Sequence, residues 1–358
     1  MYKLLIDYFV ELYGQVSFLT NHHNHDIISG QIDDIRVNLY KCDDKDESVS
    51  IKKNKELIDS HLTLIIDEYY NDYRHLYRVK YKCKKIIAIV HNPNKFYGEW
   101  NNRNVKNAIK GYFIRNYISQ VSAFITLGPN IMAYFASLYN AKPIFYFPFE
   151  HGEVNDTEIT SEAINIIIPG MVTSSRRNYT LLLDVLEKYY HQNPQSKIRV
   201  KFLGKIREED SLSIISICNR INENYGNRIT IWKDFVPTET YEWELLNAQW
   251  IMSNIKVFNH LNNGYEIYGT TKGSGISYSI YKYSKPAIVP SLQHILTGFD
   301  SQLVRYDSYE DLIQIFTDIE SGKISHDELN QRARGNTLSF NQKIQEEQKR
   351  LMRYLEIG

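Results

Sequence analysis

The segment Tyr268-Gly269-Thr270-Thr271-Lys272-Gly273-Ser274-Gly275 combines residue types and spacing that suit chemistry on an anion. Its glycines let the backbone approach a ligand without an intervening Cβ. Ile276, Ile280 and Tyr283 follow at helical spacing, Lys285-Pro286 stops the helix, and Ala287-Ile288-Val289 reads as a buried strand. The spacing therefore predicts a helix opening at Ser274-Gly275. A first turn of this kind presents unpaired N–H groups and the positive end of the helix dipole, which together suit a diphosphate. Lys272 adds a charge beside it. Glu266, just upstream, either hydrogen-bonds a hydroxyl of the ligand or begins the turn.

A second anion-friendly loop lies about a hundred residues earlier in the chain. Ile166-Ile167-Ile168 runs into Pro169-Gly170, and a polar loop then carries Arg176 and Arg177 into a helix containing Leu181, Leu182, Val185 and Leu186. Paired arginines at the mouth of a parallel sheet can clamp phosphate oxygens through bidentate forks; otherwise they cap a surface helix. Open α/β sheets place their sites at strand C-termini. His91, followed by Asn92 and Pro93, sits at such an end. Its near-neutral pKa suits it to take a proton from an acceptor hydroxyl, and a role in shaping the turn before Pro93 is the competing reading. Asp67 and Glu68 end the preceding strand and either meet an acceptor or lie on the surface. His22, His23 and His25 lack Cys or carboxylate at ligand spacing, so they read as solvated and no metal site is expected.

These candidates need alternating strands and helices to hold them. In the N-terminal half, strands are expected at 62–66, 85–90, 123–127 and 143–148, with a helix at 131–138 after Gly128-Pro129-Asn130. Residues 1–7 read as a first strand. The charged segment 41–55 reads as a solvated loop or helix start, and polar residues 151–161 as an interdomain connection. Phe340, Ile344, Leu351 and Leu355 fall on one face of a final helix. The expected organisation is a first Rossmann-like domain at 1–150, a linker at 151–163, a second Rossmann-like domain at 164–335 and a C-terminal helix at 336–358.

Bulk properties exclude several classes. The chain of 358 residues is long enough for two ordinary domains. Lys plus Arg equals Asp plus Glu at 42 each, so no basic field invites nucleic acid. Apolar runs such as 86–90 fall far short of the roughly 18 residues of a membrane span, which leaves peripheral membrane contact open. The first residues lack the long apolar region of a signal peptide. Cys42, Cys83 and Cys218 form neither a disulfide framework nor a zinc motif, and a reducing cytoplasm is the expected setting.

In order and spacing, residues 164–300 resemble the C-terminal half of a glycosyltransferase of the two-Rossmann GT-B fold, in the broad group that includes many bacterial hexosyltransferases. The matching features are the Gly170 to Leu183 strand-turn-helix, Val200-Lys201-Phe202-Leu203-Gly204, the Phe235-Val236-Pro237 turn after the strand at Ile229, and the Ser-Gly helix ending in Lys285-Pro286-Ala287-Ile288-Val289. The resemblance implies an α/β fold of two parallel-sheet domains facing a cleft, with the last helix crossing back to the first domain. It implies that Gly170, Arg176, Arg177, Lys272, Ser274 and Gly275 hold the donor diphosphate and that Phe235 and Val236 border the nucleobase. Asp67, Glu68 and Asn92 would face a glycan or lipid-linked sugar acceptor, and His91 and Glu266 would serve catalysis. No cofactor beyond the nucleotide-sugar substrate is implied. Many retaining members carry a spaced glutamate pair, and alignment on Lys285-Pro286 puts Thr271 and Ser279 at those positions. This departure leaves the anomeric outcome open. It also keeps two alternatives in view: a nucleotide-sugar epimerase of the same fold, and a non-catalytic carbohydrate- or nucleotide-binding relative.

Overall fold

The computed structural model describes residues 3–21, 34–42, 54–66, 82–94, 105–148, 151–154, 161–261 and 264–356. The chain opens with helix α1 (Lys3–Tyr13), where a strand is expected from the first seven residues. The longer run explains the difference. Ile6, Phe9 and Val10 are all buried at helical spacing, and the period only emerges once the pattern is followed past residue 7. Gly14, at φ 74°, ends the helix. Strands β1 (Val16–Asn21) and β2 (Val37–Cys42) then pair in parallel.

After the short helix α2 (Lys55–Asp59) come β3 (Thr63–Ile66), β4 (Lys85–Val90), α3 (Val105–Gln120), β5 (Ala123–Thr126), α4 (Pro129–Leu138) and β6 (Ile144–Tyr146). The last four strands form one parallel sheet in the order β3-β4-β5-β6. Continuous burial along β4 and β5 fits a parallel sheet covered on both faces.

The second half alternates β7 (Ile164–Pro169), α5 (Tyr179–Gln192), β8 (Ile198–Lys205), α6 (Glu208–Tyr225), β9 (Ile229–Trp232), α7 (Thr238–Leu246) and β10 (Trp250–Met252). A hairpin of β11 (Phe258–Leu261) and β12 (Gly264–Ile267) is inserted before α8 (Gly275–Lys282). Then come β13 (Ala287–Pro290), β14 (Leu303–Tyr306), α9 (Asp311–Glu320) and α10 (His326–Glu356). The six-stranded sheet is parallel throughout, in the order β14-β13-β10-β7-β8-β9. Among the described residues no strand pairing joins it to the four-stranded sheet.

Helix α10, 31 residues long, is shared by the two units. Its Phe340 and Ile344 pack with α8 and with Ile167, Ala287 and Val289 of the larger sheet. Further on, Leu351 and Leu355 enter the core of the smaller sheet beside Ile87, Ile89 and Phe145. Lys85 Nζ donates to the Leu355 carbonyl at 2.7 Å, and the Tyr354 hydroxyl donates to the Ser122 carbonyl at 2.8 Å. Midway, Asn341 grips the connection between the units: its amide donates to the Gly152 carbonyl at 2.9 Å and accepts from the Gly152 N–H at 3.2 Å. Leu351→Ala should cost about 2–5 kcal/mol, as deletion of a fully buried leucine does. Urea denaturation monitored over the smaller sheet checks this, and a loss below about 1 kcal/mol would show that the helix end is dispensable to that core.

Candidate functional site

Parallel pairing gathers the C-terminal ends of β7, β10 and β13 along one edge of the larger sheet. At the end of β7, Gly170 adopts φ 97°, a conformation that side chains with a Cβ rarely tolerate. A Cβ there would stand 2.6 Å from Arg177 Nη2, so the missing side chain makes room for the guanidinium. Arg177 Nη2 donates to the Pro169 carbonyl at 2.7 Å, Nη1 lies 3.4 Å from the Tyr179 hydroxyl, and the Arg177 backbone bridges to Ile255. The two arginines therefore differ: Arg177 is built into the turn, whereas Arg176 is exposed. Gly204 on β8 completes the packing, since a Cβ there would lie 2.4 Å from the Gly170 carbonyl oxygen.

Helix α8 begins at Gly275, with Ser274 as an extended N-cap. The Ser274 hydroxyl makes no capping bond and instead accepts from Gln293 Nε2 at 3.4 Å, leaving the first-turn amides to other partners. Gly275 is exposed, and a Cβ on it would meet no protein atom within 4 Å. Gly269 is the opposite case. It sits at φ 87°, and a Cβ there would fall 1.7 Å from the His294 carbonyl oxygen. The turn it makes is tied by Gly269 N–H to the Lys272 carbonyl at 2.8 Å and by Thr271 N–H to the Ile267 carbonyl at 2.9 Å. Thr271 Oγ1 accepts from Ile267 N–H at 2.8 Å, and Ser279 Oγ donates to the Gly275 carbonyl at 3.2 Å.

Glu266, on β12, is 2% exposed and joins the two units. Lys272 Nζ stands 3.0 Å from each of its carboxylate oxygens, and Asn92 Nδ2 donates to Oε1 at 2.8 Å. A buried carboxylate is tolerated only with such partners. Lys272 thus reaches the site already paired, and its ammonium lies 5.4 Å from the Tyr268 ring centroid. Asn92 is itself buried at the end of β4, next to half-buried His91. Nearby, the Tyr278 hydroxyl of α8 donates to the Leu127 carbonyl at 2.6 Å, and Gly128, Ile131, Gly273, Ser274 and Leu296 line a narrow crevice between the units. A separate surface hollow beside Leu212, Asn219 and Lys233 is lined by none of these groups.

Phe235 is 76% exposed, with Lys205 Nζ 5.2 Å from its ring centroid, while Val236 packs half-buried against the core under α7. Asp67, Glu68 and the histidines at 22, 23 and 25 lie outside the described residues. Among the described residues no group of His, Cys, Asp or Glu could hold a metal ion, and no helix is long and apolar enough to cross a membrane.

The hairpin was not anticipated from the sequence. It turns Phe258, His260 and Tyr265 outward, with His260 and Tyr265 rings 4.7 Å apart, and Glu266 inward. Phe-Asn-His-Leu and Gly-Tyr-Glu-Ile lack the strict apolar–polar alternation of a half-buried strand, so no local pattern marks it.

No protein-family model matches the chain, and no curated protein matches it. Solved structures do. Anabaena HepE, in complex with UDP, superposes at a TM-score of 0.60 with 10% identity, over 96% of this chain and 94% of that one. The pneumococcal O-GlcNAc transferase GtfA, in complex with UDP and GlcNAc, gives 0.59 at 12% identity over 87% of this chain and 61% of its own. TarM gives 0.56 at 12% identity over 84% and 57%. The chain thus spans less than two thirds of the length of TarM and GtfA. These likenesses, with the two parallel sheets and the crossing helix, establish the fold as GT-B.

Proposed function

We propose that this GT-B chain is a glycosyltransferase that moves a sugar, a hexose in the first instance, from a nucleotide-sugar donor to a hydroxyl of a glycan or glycolipid-type acceptor. The observation that carries the reading is the start of α8: an exposed glycine with open space over it and a first turn that no side chain caps among the described residues, on the same sheet edge as the arginine turn. A diphosphate seated there would meet backbone N–H groups, the positive helix end and Arg176. As the bond to the sugar breaks, negative charge builds on the leaving diphosphate, and those fixed dipoles and charges stabilise it. The reading routes no step through a metal. Phe235 and Val236 would border the base, as a stacking surface beside Lys205. The acceptor would enter from the first unit, where His91 would take the hydroxyl proton. The complexes of HepE and GtfA with UDP make uridine nucleotides the donors to try first.

Calorimetric titration with UDP, followed by turnover of UDP-sugars against glycan acceptors, tests this. Arg176→Ala should weaken UDP by about 1.5–3 kcal/mol, the worth of a charge-assisted bond, with uridine nearly unaffected and the melting temperature unchanged because the side chain is exposed. Equal losses for UDP and uridine would make the loop ordinary surface. A second reading, a non-catalytic nucleotide- or carbohydrate-binding relative, is favoured by one observation: Thr271 and Ser279, where many retaining members carry glutamates, spend their hydroxyls on local backbone bonds. UDP binding without turnover of any donor would select it.

A further inference from the structure

Tyr268 is 4% exposed, yet among the described residues its hydroxyl has no hydrogen-bond partner. Such a group is costly to bury, and phenylalanine would fill the same space without it. The ring packs with Ile255 and Val257, its backbone N–H donates to the Val257 carbonyl at 3.1 Å, and Ile255 is the residue that bridges to Arg177. Tyr268 therefore lies beside the arginine turn on one side. On the other it immediately precedes the Gly269 turn, with the Lys272 ammonium near its ring.

We propose that the Tyr268 hydroxyl is a ligand of the nucleotide donor, giving its proton in a hydrogen bond to a phosphate oxygen. Burial pushes the phenol pKa up, against the pull of Arg176 and Arg177 and with the push of Glu266, so the hydroxyl is protonated at neutral pH and can donate. Arg176, Arg177 and the Lys272 ammonium near the ring stand against the single carboxylate of Glu266, which marks this side of the site for an anion rather than a neutral sugar hydroxyl. The proposal rests on the reading of the cleft as a nucleotide-sugar site.

Tyr268→Phe tests it with UDP and uridine as probes. The expected result is a Kd for UDP raised about tenfold to a hundredfold, the worth of a hydrogen bond to a charged group, with the Kd for uridine unchanged. Without ligand, the melting temperature of the variant should equal or exceed that of the parent, since the deleted hydroxyl bonds none of the described residues. A lower ligand-free melting temperature with UDP affinity intact would give the hydroxyl a structural role and overturn the proposal. If the parent binds UDP and the variant binds it equally well, this inference alone falls. If the parent binds no UDP, the donor reading falls and takes this inference with it.

Discussion

A Gly275→Val variant is expected to keep its fold and lose its nucleoside diphosphate. The residue opens α8, is exposed, has an ordinary negative φ and would place its Cβ where no protein atom lies within 4 Å. Valine is no worse than glycine as a helix residue, so the change in folding stability should stay within about 1 kcal/mol. The ligand would fare differently. A phosphate drawn to first-turn amides must come within hydrogen-bond distance of the backbone, and a β-branched side chain occupies that space. The loss should exceed about 3 kcal/mol, more than a hundredfold in Kd. Thermal melting and calorimetry with UDP read the two halves separately. Unchanged UDP affinity would mean that the phosphate is held elsewhere, and the central claim about the helix start would fail.

Gly269→Ala should do the reverse damage, to the protein first. The added methyl would overlap the backbone of His294, with its Cβ 1.7 Å from the carbonyl oxygen and 2.6 Å from the carbonyl carbon. No flexible side chain can swing aside. The segment it strikes is also fastened from behind, by Arg305 Nη1 to the Ser291 carbonyl at 3.0 Å and the Gln293 carbonyl at 3.1 Å. Strain at φ 87° adds to the overlap, for a combined cost of about 3–5 kcal/mol. Urea denaturation measures it. Parent-like stability would show that the turn does not abut His294 in solution.

These two glycines mark what the sequence can and cannot convey. The helix beginning at Gly275 is legible because its signals are local: small residues, a periodic apolar face, then Lys285-Pro286. The strand at 85–90 is legible for the same reason. Which glycine the protein itself requires is not, because the answer lies in the His294 carbonyl across the turn. Nor does the sequence show that Arg177 spends its guanidinium on the Pro169 carbonyl and Tyr179, since the pair reads as two equivalent cations. Glu266, Lys272 and Asn92 are each legible as candidates at strand or loop ends. Their union in one buried contact joins residues 174 apart in the chain, and no local pattern encodes that. The opening helix is not legible in residues 1–7, which are too few to separate a period of 3.6 from a plain apolar run.

The crossing helix makes the order of assembly differ from the order of synthesis. The smaller sheet is translated first, yet Leu351 and Leu355 fill part of its core and Lys85 is tied to carbonyls of the same helix turn. The larger sheet has most of its own core in place by Ile319; from the long helix Phe340 and Ile344 join it and Leu329 packs half-buried against it. Closing a loop of more than two hundred residues is a late and entropically costly step. The first unit to leave the ribosome is therefore expected to be the last to complete its core, which needs a helix supplied from beyond the second.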